Sequence, residues 1–171
     1  MGLFDFITGT KAAPKDVPRQ PREVLYGQLL GLNRPGSPWG VRDGRAEGVD
    51  LIAEWKIVDA QWYQIFAKAG LEEVFQVLMK FDDESGEVRA VDKGWRVEWQ
   101  AGVPRLSASV DGFRGQKKEV SFGKAVAFRE EDLRLGVVYD YRFDTKEIKE
   151  PLREAALANG WGWRGVSFGK L

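Results

Sequence analysis

Arg114, Lys117 and Lys118 stand within seven residues, FRGQKKE, behind Gly112 and Gly115. Glycines let successive backbone N–H groups turn toward one point, and such a nest flanked by cations holds phosphate or another anion. Lys124 is a fourth candidate. In a regular strand through VSFGKAVAF, Val120, Phe122, Lys124, Val126 and Phe128 share one face, which sets an amine among apolar neighbours. Each group also has a purely structural reading. Charge runs are usually solvated, so FRGQKKE reads as a hairpin loop. A β-bulge at Gly123 would return Lys124 to solvent and bring Ala125 and Ala127 inward.

Trp161 and Trp163, two apart in WGWRG, would lie on one face of a strand with Arg164 beside them. Two indoles and a guanidinium can stack a base, a sugar or a partner side chain. The alternative is core packing, because Trp usually buries its ring. FDDESGE has the acidity of a calcium loop but not its spacing. Counting back from Gly86 puts Phe81 at the first ligand position, so the segment reads as a turn.

What is missing narrows the chemistry further. The chain has no His and no Cys. Without imidazole it lacks the usual general base near neutral pH. Without thiolate it has no zinc ribbon, iron–sulfur cluster or disulfide framework. No Gly-rich nucleotide motif, nucleophile elbow or metal-spaced carboxylate cluster is present, so no catalytic residue, metal or cofactor is assigned. Lys, Tyr, Ser and carboxylates remain available to an enzyme. Lys plus Arg equals Asp plus Glu, 26 each, and this balance gives no support for nucleic-acid binding.

The amino terminus is the least globular part. Leu3, Phe4, Phe6 and Ile7 are apolar with only Asp5 among them. The opening Gly-Leu-Phe-Asp resembles short amphipathic membrane-active peptides, which implies an interfacial helix. A segment this short does not hold a helix alone in water, and a single weak anchor binds a bilayer only marginally. Docking on protein, whether its own body, another copy or a partner, is the favoured expectation, and membrane association is the less favoured one. The start lacks the charged n-region of a secretory signal, and no stretch approaches the roughly 20 apolar residues of a membrane span. A cytoplasmic location is the default.

These groups must be positioned by the elements around them. KAAPKDVPRQP, with three prolines, reads as an extended tether, so residues 1–21 form an arm and tether and residues 22–171 one domain. Val24, Leu25, Leu29 and Leu32 predict a helix in REVLYGQLLGL, followed by a loop through NRPGSPWG. VDLIAEWKI alternates as a strand. DAQWYQIFAKAG carries a helical stripe of Trp62, Ile65, Phe66 and Ala69. VFQVLMKF and EVRAVDKGWRVEW flank DDESG as a hairpin. RLSASV, EVSFGKAVAF and VVYDYRF read as strands. DTKEIKEPLREAALANG is the clearest helix, with Ile148, Leu152, Ala155 and Ala156 buried. It is expected to start near Ile148, so that Pro151 falls in its first turn.

VSFGK occurs at Val120–Lys124 and again at Val166–Lys170. The flanks differ, strand and loop before one copy and helix before the other, so the repeat is local and not a duplication. The expectation is α+β: a mostly antiparallel, strongly twisted sheet of about seven or eight strands, either open or partly closed into a barrel, with two or three helices. The expected function is non-enzymatic, a protein-interaction or assembly module that docks through its arm. The alternatives are a small-molecule or lipid-binding barrel, and an enzyme using Lys or carboxylate chemistry.

Overall fold

The computed structural model describes residues 9–57, 66–67, 73–101, 103–108, 114–115, 121–127, 140–166 and 171. Two helices, α1 (Arg22–Leu30) and α2 (Thr145–Ala158), accompany the strands β1 (Trp39–Asp43), β2 (Leu51–Trp55), β3 (Glu73–Asp82), β4 (Glu87–Gln100), β5 (Val103–Ala108), β6 (Arg114–Gly115), β7 (Ser121–Ala127), β8 (Asp140–Asp144) and β9 (Gly162–Gly165). The first five strands pair in chain order, β1-β2-β3-β4-β5, while β6 and β9 also pair with β4 and β7 pairs with β8 apart from them.

The α+β expectation holds, and two of its details are settled. The sheet is open, not a barrel. It is also mixed, because β9 runs parallel to β4, matching Val88 with Trp163 and Arg89 with Arg164. A parallel neighbour needs a crossover segment to carry the chain back, and α2 lies immediately before β9. The loop expected through NRPGSPWG also ends early, since Trp39 and Gly40 already belong to β1. The helix expected at 59–70 is described only at 66–67, where it is helical with Phe66 buried.

Alternation sets the two faces of the sheet. Val41, Leu51, Ala53, Phe75, Val77, Met79, Phe81, Val88 and Ala90 form the inner face, against which Leu25 and Leu29 of α1 and Ile148, Leu152 and Ala156 of α2 pack. The i, i+4 spacing of both helical sets is what places them on one stripe. The outer face carries a smaller cluster, Val49, Ile52, Leu78 and Val91, with Leu171 against it.

The β3–β4 hairpin turns on its own side chain. Asp82 Oδ1 accepts from the N–H groups of Glu84 and Ser85 at 3.0 and 3.3 Å, and Gly86 closes the turn at φ +70°. At the far edge, β1 has a side chain where another strand would be. Asn33 Nδ2 donates to the Val41 carbonyl at 2.8 Å, and the Val41 N–H donates to Asn33 Oδ1 at 2.7 Å. The amide thus satisfies one peptide of an open edge, which is one way to discourage stray pairing. Gly40 leaves room for it, since a Cβ there would stand 2.8 Å from Asn33 Oδ1.

Helix α2 starts at Thr145, earlier than Pro151 suggested, so the proline sits inside the helix and cannot donate to the Glu147 carbonyl. Its end is a Schellman arrangement. The Gly160 N–H donates to Leu157 O and the Trp161 N–H to Ala156 O. Gly160 has φ +75°, and a Cβ there would lie 2.5 Å from Pro18 O.

That close approach shows where the proline-rich segment goes. The Gln20 N–H donates to Asn159 O at 2.9 Å, and Trp161 Nε1 donates to Gln20 O at 2.8 Å. Lys11 and Trp163 exchange backbone hydrogen bonds of 2.7 and 2.8 Å. The segment expected as an extended tether turns at residues 15–17 and is fastened to the body. Trp161 is the peg of this arrangement: 1% exposed, against Phe81 at a ring separation of 5.9 Å, with the Arg19 guanidinium 5.4 Å from its ring. Trp161→Ala should cost about 3–5 kcal/mol. Urea unfolding checks this, and a loss below about 1 kcal/mol would make the indole peripheral.

Candidate binding face and buried ion pair

The register brings polar groups from four strands onto the outer face. Glu54 of β2 pairs with Gln76 of β3, and Gln76 with Lys93 of β4. Arg42 Nε donates to Glu54 Oε1 at 2.7 Å, and Arg42 Nη1 lies 2.7 Å from Glu47 Oε1. Gln76 Nε2 donates to Glu54 Oε2. Gln76 Oε1 in turn accepts from Trp95 Nε1 at 2.9 Å, and Lys93 Nζ lies 4.5 Å from the Trp95 ring centre. The result is a hydrogen-bonded chain, Arg42–Glu54–Gln76–Trp95, that fixes the indole.

Beside it opens a cleft of about 90 Å³, lined by Glu54, Gln76, Trp95 and Leu106 together with Trp55, Ile57, Val74 and Phe75. Small-molecule sites run to roughly 300–1,000 Å³, so this cleft holds a single side chain more comfortably than a drug-sized ligand. The Glu54 carboxylate is engaged by a guanidinium and an amide. It orients its neighbours. Among the described residues no group of three or more Asp or Glu could hold a metal ion.

The inner face carries a different constellation. Asp92, 1% exposed by its side chain, receives a 2.5 Å hydrogen bond from Lys149 Nζ, itself 14% exposed, and the ammonium lies 5.9 Å from the Phe75 ring. An ion pair this deep needs good geometry to offset desolvation. It fastens α2 to the middle of β4. Neither partner is distinguished in the sequence, where they stand 57 residues apart.

The residues singled out from the sequence fare unequally. Trp161 and Trp163 are core residues at 1% and 3% exposure, which is the packing alternative. Arg164 is surface-exposed and forms a bidentate pair with Glu87 at 2.7 and 2.9 Å. Arg114 falls in β6 as the register partner of Lys93. Lys117 and Lys118 lie outside the described residues, as do Leu3, Phe4, Phe6 and Ile7. Lys124 belongs to β7, whose pairing with β8 shifts register between Phe122 and Val126. Gly123 stands inside that shift. Glu54, Gln76 and Trp95 went unnoticed in the sequence. Their outward alternation was visible, but the pairing that joins them was not.

A third cluster lies at the α1–β1 corner. The Tyr26 hydroxyl donates to Asp43 Oδ2, and Arg45 approaches the same oxygen through Nε at 2.6 Å. The bond to Asp43 raises the Tyr26 pKa above its ordinary 10.0, helped by desolvation. The same bond, with the Arg45 backbone N–H, lowers the Asp43 pKa below 3.8.

No protein-family model matches this chain, and neither a curated protein nor a solved structure is similar to it.

Lys149→Met should destabilise by about 3–5 kcal/mol, because it leaves Asp92 charged and buried. Adding Asp92→Leu should recover a large part of that loss in a urea double-mutant cycle. Additive losses would mean that the pair is not coupled.

Tyr26 has a folded pKa above its unfolded one. Its contribution to stability is therefore complete below about pH 10 and lost as pH rises through the folded value. Asp43 works at the other end: its contribution is present above about pH 4 and lost as pH falls through its lowered value. Absorbance at 295 nm should show one tyrosine titrating late, and Asp43→Asn should return it toward 10. An unchanged titration in the variant would remove the assigned cause.

Proposed function

We propose that this protein is a non-enzymatic assembly module of the cytoplasm, which docks its N-terminal apolar arm onto a second copy of itself. The observation that supports this most is the anchoring of the arm's base on β9, in line with a partly exposed apolar patch farther along β4. Lys11 is hydrogen-bonded to Trp163, and the Gly165 N–H donates to Thr10 Oγ1 at 3.0 Å. The Lys11–Trp163 pairing is antiparallel, and β9 is parallel to β4. The chain preceding Lys11 thus heads along β4 toward Trp95, Val97 and Trp99.

Val97 is opposite Leu106, and Trp99 opposite Pro104. Trp95 and Trp99 are only half-buried, and Leu106 is 36% exposed. Eight extended residues reach roughly 26–29 Å. From Ala90, beside Gly165, to Val97 is about 23 Å along a strand. On its own chain, counted from Thr10, Leu3 reaches roughly 23–25 Å and Phe4 roughly 20–22 Å, enough for Trp95, whereas Phe6 and Ile7 stop at roughly 10–14 Å; the arm of a second copy is not held to these lengths and can present all four side chains to this surface. Burying two or three such side chains contributes roughly 1.5–3 kcal/mol each before ordering costs. That suits reversible docking on protein and is marginal for holding a free chain on lipid.

Phe4→Ser/Phe6→Ser should shift the sedimentation distribution toward monomer, and Leu106→Ser on the receiving face should do the same. Neither wild type nor variant should float with neutral liposomes. A wild type that is monomeric at all concentrations, or that floats while the variant does not, would overturn the reading. Truncation should stop at residue 8, because residues 10–20 hold Trp161 and Trp163 in place.

A further inference from the structure

We infer that Lys80 and Arg89, with Arg164 beside them, form a phosphate-binding site on the outer face of β3, β4 and β9. Lys80 is directly opposite Arg89, and Arg89 is aligned with Arg164. Three cations therefore occupy one row across three neighbouring strands, about 4.8 Å apart. Like charges set directly opposite repel, so the row is unfavourable unless something negative lies across it.

Among the described residues little of that charge is supplied. Arg164 holds the Glu87 carboxylate in a bidentate pair. Asp82, opposite Glu87, spends its Oδ1 on the N–H groups of the hairpin turn. It senses Arg89 through space, and Arg89 is a minor contributor to its lowered pKa. Lys80 and Arg89 form no ion pair among the described residues.

A second observation is independent of the charge count. Arg89 Nε is shielded from solvent and donates to nothing among the described residues. A buried guanidinium N–H without an acceptor is rare in folded proteins, and an absent ion is one of its explanations. A guanidinium offers two parallel N–H donors that match a phosphate edge, and an ammonium adds a point charge. Leu78 and Val91, two residues along β3 and β4 from Lys80 and Arg89, are buried with Leu171 against them, so the row offers a ligand its charges and not an apolar surface. The ligand is therefore a phosphate group, carried either by a free metabolite or by a lipid headgroup. This site stands apart from the arm and does not depend on the assembly reading.

The test titrates inorganic phosphate and phenyl phosphate into the full chain at constant ionic strength. The Arg Nε–Hε resonances are followed by NMR and binding by calorimetry. One Nε–Hε signal should move and saturate, and Arg89→Gln should abolish it. Lys80→Gln, an exposed change that leaves the fold untouched, should weaken binding at least about tenfold, the loss of one charge-assisted contact. Phenyl phosphate should bind no less tightly than inorganic phosphate, because the site reads the phosphate group. Flotation with phosphatidate vesicles, lost in Arg89→Gln, would assign the phosphate to a lipid, and saturation by the soluble esters without flotation would assign it to a free molecule. If neither soluble phosphate nor vesicles bind, or if both variants bind as wild type does, the site does not exist.

Discussion

One edge of β4 must serve three partners. A strand offers a single row of N–H and C=O groups on each side, and buried groups in that row cannot go unpaired. On one side β4 meets β3 along ten consecutive pairs, Glu73–Arg96 to Asp82–Glu87. On the other the row is divided: β9 takes Glu87–Ala90, β6 takes Asp92 and Lys93, and β5 takes Trp95–Gln100. The rest of the architecture follows from this division. β9 takes its share in the parallel sense because α2, as the crossover before it, carries the chain back over the inner face. The division also brings Arg164 beside Arg89 and Arg114 opposite Lys93.

The division explains why a charge pair sits in the core. Asp92 lies where β4 passes from one partner to the next, on the inner face under α2. A hydrophobic residue there would pack against α2 at many rotations of the helix. The carboxylate accepts the Lys149 ammonium in one geometry, which sets the rotation of α2 and therefore the direction in which Trp161 leaves it. Charge pairs of this kind often contribute more to uniqueness than to net stability. The Schellman end of α2 continues the same constraint, since Gly160 lets the chain pass within contact of Pro18 and Arg19.

Sequence patterns revealed the elements whose cause is local. The alternation of VDLIAEWKI, the Asp82–Gly86 turn and the Ile148–Leu152–Ala156 stripe each depend on neighbours within a few residues, and each was legible. The features that were not legible depend on distant backbone. β1 is five residues long and follows two prolines, so its strand character comes from Ala53, Ile52 and the Asn33 amide more than from its own composition. The parallel sense of β9 cannot be read from WGWRG, because it depends on the path of the preceding helix. The proline-rich segment looked like a free tether since nothing in its composition reports that its carbonyls serve Trp161 and Trp163. The outer-face groups were hidden for the same reason. Glu54, Gln76 and Trp95, like Lys80 and Arg89, are ordinary outward residues until the register joins them.

The two faces of the sheet consequently do different work. The inner face is closed by helices and by the buried pair, and its indoles are spent on packing. The outer face is polar and ordered. A hydrogen-bonded chain from Arg42 to Trp95 holds one indole at a narrow cleft, and the cation row at the other end is left with little opposing charge. Both outer features lie along β4, with the apolar pair Leu78 and Val91 between them. A strand whose inner side is committed to the core and whose outer side carries rigid, incompletely paired groups is a platform. Its rigidity comes from the same three-way division of its edge, because neither end of β4 can move without breaking its pairing to a different part of the chain.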